Sequence, residues 1–106
     1  MTDDPPADDL AGYPIDPKLL NAFLTVAREG QIGRAARRLA IAQSPLSRQI
    51  MRLESHLGVR LLDRSHDGVR MTRAGEVLYR EGPALLQSLR AIAVRTQRAA
   101  LTKGID

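Results

Sequence analysis

Residues 34 to 58, RAARRLAIAQSPLSRQIMRLESHLG, constrain the fold more tightly than any other part of this chain. Ala35, Ala36 and Leu39 give one helix an inner face small enough for close approach. After Ala40-Ile41-Ala42, a second helix starting near Ser44-Pro45 places Leu46, Ile50, Leu53 and Leu57 at steps of four, three and four. That spacing lays a single apolar stripe along a helix of about 3.6 residues per turn. Gln43, Ser44, Ser47, Arg48, Met51 and Arg52 are left on its other face. Two helices meeting at a tight corner, the second packed on one side and polar near its start, describe a helix-turn-helix. The free face of such a helix fits a DNA major groove.

The flanking sequence extends this unit. Asp16-Pro17 is a helix start, with Asp at the N-cap and Pro where a missing N–H does no harm. The helix then carries Leu19, Leu20, Phe23, Leu24, Val26 and Ala27 and closes at Gly30. Gly33 is the plausible cap of the next helix, over about 33 to 40. Beyond Gly58 the period changes to two short strands, 59 to 64 and 69 to 72, joined by a turn containing Asp67-Gly68. Val69 and Met71 should face inward and Arg70 outward, as in a β-hairpin wing. Thr72 can cap a long final helix, in which Leu78, Gly82, Leu85, Leu89, Ile92, Thr96 and Ala99 alternate steps of four and three. Such a seam calls for a partner helix, although packing back on the same domain would also use it. Pro83 removes the N–H that would bond to Tyr79 and can kink this helix.

Charge is divided along the chain. Five of the twelve acids lie in the first sixteen residues, which contain no Lys or Arg. The remainder sets sixteen cations, fourteen of them arginine, against seven acids. Charged side chains solvate any small protein, but this excess favours a polyanionic partner. Arg37, Arg38, Arg52, Arg60, Arg70 and Arg73 could supply binding that is indifferent to sequence. Residues 1 to 15 read as a disordered acidic leader. No apolar run approaches a membrane span, the acidic start is unlike a secretory signal, and cysteine is absent. Together these suggest a soluble, intracellular chain. His56 and His66 belong to no cluster with metal-ligand spacing, and no catalytic or cofactor motif is present. Neither an enzyme nor a metal or cofactor site is expected.

The segments LLNAFLTVAREG at 19 to 30, RAARRL at 34 to 39, IAQSPLSRQIMRLESHLGVRLLDR at 41 to 64 and VRMTRAGE at 69 to 76 together resemble the N-terminal DNA-binding region of LysR-type transcriptional regulators. The resemblance spans about residues 18 to 100. It implies a mainly α fold: a winged helix-turn-helix over 16 to 73, with a three-helix core and a hairpin wing, then a linker and dimerisation helix over 74 to 103. It implies that the recognition helix, 44 to 57, enters the major groove while the wing, 61 to 72, touches the flanking backbone and minor groove. By position, Gln43, Ser44, Pro45 and Ser47 fall where the family meets bases and nearby phosphates. Arg48 falls in the major groove, Arg64 at the wing, Arg34 near the backbone, and Arg52 on the same helix. Leu78, Leu85, Leu89 and Ile92 would join two copies that read an interrupted dyad in double-stranded DNA. The partners implied are DNA and a second copy, or a tetramer with an effector domain, in a cytoplasmic, nucleoid-associated bacterial protein.

The chain departs from the family pattern in three places. Gln31-Ile32-Gly33 stands where Ser-Phe-Thr is usual, and Ala42 where serine is common, so the capping threonine hydroxyl and a serine hydroxyl are lost. The chain also stops at Asp106, where family members usually continue into a larger ligand-sensing domain. An excised DNA-binding fragment is therefore expected. A module of the same fold that holds DNA without reading it stays open as an alternative, opposed by serine and glutamine at base-reading positions.

Overall fold

The computed structural model describes residues 14–65 and 67–102. Most of the expected leader, residues 1 to 13, lies outside them, as do His66 and Lys103. In chain order the elements are α1 (Pro17–Glu29), α2 (Ile32–Leu39), α3 (Gln43–Leu57), β1 (Leu62–Ser65), β2 (Gly68–Met71) and α4 (Arg73–Leu101). The fold is three helices, an antiparallel hairpin and a long helix.

Helix α1 is the hub and packs on α2, α3 and α4. Asp16 caps it, Oδ1 accepting from the Lys18 N–H at 2.7 Å. Leu20, Phe23 and Val26 on α1 meet Leu46, Ile50 and Leu53 on α3, all fully buried. The buried Thr25 hydroxyl donates to the Asn21 carbonyl at 2.8 Å, so no polar group is stranded there. Each fully buried aliphatic or aromatic side chain contributes roughly 1.5–3 kcal/mol, and this aliphatic cluster fixes the orientation of α3.

The helix boundaries differ slightly from expectation. Gln31 in extended conformation is the N-cap of α2, and Gly33 lies inside the first turn. Helix α3 starts at Gln43 with Ala42 as its N-cap. Pro45 is tolerated one step further in because first-turn N–H groups have no helical partner. Between the two helices Ala40 adopts φ 58, ψ 42, a left-handed conformation that lets the chain reverse within three residues.

The wing is shorter than the pattern predicts. Its register pairs Leu62 with Met71, Asp63 with Arg70, Arg64 with Val69 and Ser65 with Gly68. Residues 59 to 61 are not strand, because their backbone is fastened to α3 instead. Glu54 Oε2 accepts from the Leu61 N–H at 2.8 Å and the Leu62 N–H at 3.2 Å, and stands 3.7 Å from Arg60 Nε. The second strand is tied to the end of α1, the Val69 N–H donating to the Gly30 carbonyl at 3.0 Å. Gly68 (φ 128) is needed there, since a Cβ would stand 2.5 Å from that carbonyl oxygen. Val69 and Met71 are half-buried against the core and Arg70 is exposed, as alternation predicts.

Thr72 joins wing to α4 through three bonds. Its N–H donates to the Leu61 carbonyl at 3.0 Å, and its hydroxyl donates to the Arg60 carbonyl at 2.7 Å. The same hydroxyl accepts from the Gly75 N–H at 3.0 Å, forming the expected cap. The helix is continuous through Pro83. Its two halves have different surroundings. Ala74, Leu78, Tyr79 and Leu86 pack on the core, and Gly82 is buried against Leu20. Leu78, expected in an intermolecular seam, is half-buried and packs on the chain's own core, where the missing Cβ of Gly82 lets α1 approach the stripe. From Gln87 onward every described residue but half-buried Ala91 is exposed, and Leu85, Leu89 and Ile92 are 42, 40 and 51% exposed. Among the described residues, no helix is long and apolar enough to cross a membrane.

Candidate nucleic-acid interface

The start of α3 is open. Ala42 offers no side-chain oxygen, and no side-chain cap bonds the first N–H groups. The Gln43 and Ser44 donors therefore point outward with the positive end of the helix dipole, an arrangement that suits phosphate. The start of α2 is uncapped in the same way. Both helix starts border one notch of about 330 Å³, lined by Gln31, Gly33, Gln43, Arg64, Ser65 and Val69 among others. Three separate elements, α2, α3 and the hairpin, thus share one surface.

With Leu46, Ile50 and Leu53 buried, the helical period turns Ser44, Arg48, Met51 and Ser55 to solvent and leaves Ser47 half-exposed. Gln43 lies beside Gly33, with Nε2 3.4 Å from where a Cβ would be. Arg64 Nη1 donates to Ser47 Oγ at 2.7 Å, so the wing arginine reaches across to the second turn of α3. Gln43, Ser44, Ser47 and Arg64, which lie up to 21 residues apart in sequence, are brought together. Pro45 is half-buried at the same helix start, and Arg34, Arg48 and Arg52 are exposed.

The six cations singled out for sequence-indifferent binding divide by their partners. Arg38 bonds to Glu29 Oε2 at 2.9 Å. Arg60 donates to the Leu62 carbonyl at 3.1 Å beside Glu54, so it braces the α3–wing connection. Arg37, Arg52, Arg70 and Arg73 are exposed without an ion pair among the described residues. The residue that sequence reasoning undervalued is Glu54, which sits next to the apolar stripe and whose partners lie seven and eight residues further on. No helical or strand period signals such a contact.

Comparison with known proteins agrees with this geometry. Residues 17–76 match the family described as bacterial regulatory helix-turn-helix protein, lysR family. The chain is 46% identical over 80 residues to the HTH-type transcriptional regulator ClcR of Pseudomonas putida, covering 76% of this chain and 27% of that protein. It is 42% identical over 86 residues to XapR of Escherichia coli, covering 81% and 29%. The chain thus spans under a third of the length of these relatives. Among solved structures, a CbnR_DBD-DNA complex superposes with a TM-score of 0.77 at 36% identity, covering 81% of this chain and 99% of that one. Full-length CbnR, a LysR family transcriptional regulator, gives 0.78 at 36%, covering 81% and 30%. With its uncapped recognition helix, its hairpin wing and its trailing long helix, this chain belongs to the lysR family of bacterial regulatory helix-turn-helix proteins.

Proposed function

We propose that this chain is the double-stranded DNA-reading part of a bacterial transcription regulator and acts as a homodimer on an interrupted dyad. The observation that carries this reading is the Arg64–Ser47 bond, which puts the wing arginine and the exposed face of α3 on one continuous surface. A helix of this width enters the major groove, with the wing over the flanking minor groove. Gln43 suits an adenine edge and Arg48 a guanine edge, while Ser44 and Ser47 bond to bases or phosphates. The first-turn N–H groups around Pro45, together with Arg34 and Arg52, hold the phosphate backbone.

The exposed Leu85, Leu89 and Ile92 form the contact between two copies. Antiparallel pairing sets the end of α4 that carries Arg90, Arg95 and Arg98 against an end where Glu76 and Glu81 balance Arg73 and Arg80. Parallel pairing would instead align the arginines. The antiparallel arrangement also brings Leu101, 80% exposed, toward an apolar groove of about 490 Å³ on the other copy, lined by Leu57, Val59, Leu61, Val77 and Leu78.

The test is sequencing of genomic fragments captured by the purified chain at moderate salt. Discrete peaks sharing a dyad are expected, and Arg48→Ala should weaken a peak sequence by about 1–3 kcal/mol and relax one base position. Uniform recovery would mean a basic fold that holds DNA without reading it, and would overturn the proposal.

A further inference from the structure

We infer that Met51 reads a thymine, through van der Waals contact with its 5-methyl group; this rests on the DNA-reading function proposed above. Among the described residues, Met51 is the large hydrophobic side chain that α3 leaves exposed, at 51%. It belongs neither to the core nor to the half-buried shell packed on it. Its place in the helix is defined by the period: it follows Ser47 by four residues and Arg48 by three, so it is their neighbour on the same face. The other exposed apolar side chains lie elsewhere, on the α2–α3 turn, around the groove beside α4, or along α4 itself.

Leaving methionine in the middle of a polar face is unfavourable in water, and folding gains nothing from it. The face becomes complementary only when something apolar meets it. In a major groove, hydrogen-bonding edges dominate, and the thymine methyl is the apolar feature that distinguishes one base from the others. The unbranched thioether of methionine, with three rotatable bonds, adapts to such a target without an exact fit. Position along the helix sets which base is read. Met51 lies about 4.5 Å beyond Arg48 along the axis, slightly more than the roughly 3.4 Å between base pairs. The thymine should stand one to two base pairs from the guanine assigned to Arg48.

The experiment starts from sequences selected by the full chain from a random duplex library. Each thymine of the selected site is then replaced in turn by uracil, which removes only the methyl. The expected result is one thymine in each half-site, one to two base pairs from the base relaxed by Arg48→Ala, whose replacement weakens wild-type binding about fourfold. Met51→Ala should melt like the wild type, because the side chain is exposed, and should bind the thymine and uracil sites equally well. Retention of the fourfold preference by Met51→Ala would overturn the assignment. So would a selected site whose thymines can all become uracil without loss. A library that returned no shared sequence would instead remove the DNA-reading function itself, and the assignment to Met51 with it.

Discussion

Replacing Gly75 with alanine should loosen the joint between the long helix and the wing. An alanine Cβ there would overlap the Leu61 carbonyl oxygen and come within 3.1 Å of its carbonyl carbon. The obstacle is backbone, and it has no room to move. The Leu61 N–H is held by Glu54 at 2.8 Å, its side chain is 1% exposed, and its carbonyl receives the Thr72 N–H at 3.0 Å. Overpacking of this kind costs about 1–3 kcal/mol. Losing the Thr72–Leu61 bond adds about 0.5–1.5 kcal/mol, and the better helix propensity of alanine offsets at most about 1 kcal/mol. A net loss of about 2 kcal/mol in a domain this small lowers Tm by roughly 8–16 °C. Thermal unfolding followed by helical circular dichroism, at matched protein concentration, measures it. Gly82→Ala is the control, because there an added Cβ would come within 2.9 Å of Leu20 Cδ1, the end of a flexible side chain. That variant should stay within about 1 kcal/mol of wild type, given the propensity gain. If Gly75→Ala melted no lower than Gly82→Ala, close docking of α4 on residue 61 would not be what holds the wing, and the reasoning fails.

Glu54→Ala strands two backbone N–H groups and should lose about 2–4 kcal/mol, read from the urea midpoint; Glu54→Gln, which keeps an acceptor, should fall between it and wild type. Ala40→Gly relieves a left-handed residue and should raise stability by up to about 1 kcal/mol, or a few degrees in Tm; an unchanged or lower Tm would argue against that backbone conformation. Leu85→Asp combined with Leu89→Asp should give a monomer in sedimentation velocity with its helical signal retained, whereas a persistent dimer would place the contact elsewhere.

Much of this architecture was legible because it rests on period and punctuation. The stripe from Leu46 to Leu57, the Asp16-Pro17 and Thr72 starts and the Gly30 and Gly58 ends are local rules, and the structure follows them. Reading failed where one segment's backbone is held by a distant side chain. Val59-Arg60-Leu61 alternates like a strand, yet Glu54 takes the N–H groups of Leu61 and Leu62 and ties the segment to α3. The heptad spacing also leaves its use open, because a stripe at one spacing serves equally well against α1 and against another copy. Only Gly82, small enough to admit Leu20, marks where one use ends. At the candidate interface, the polar face of α3 was readable from the helical period. That Arg64 bends back to Ser47, and that Arg38 and Arg60 are engaged by glutamates, depends on contacts between elements.

The Arg64–Ser47 bond makes the free chain a competitor of its own ligand. A duplex that takes the same Arg64 Nη1 proton, or that donates to Ser47 Oγ in its place, must first replace a 2.7 Å hydrogen bond already there, so the net gain from that contact is reduced by about 0.5–1.5 kcal/mol. If Ser47 and Arg64 meet the duplex as proposed, removing the serine hydroxyl has two effects of opposite sign: it deletes one donor to the duplex and releases an arginine toward it. A position at the centre of a contact surface can in this way look silent in an alanine scan. Only the double variant, lacking both Ser47 and Arg64, separates the two effects.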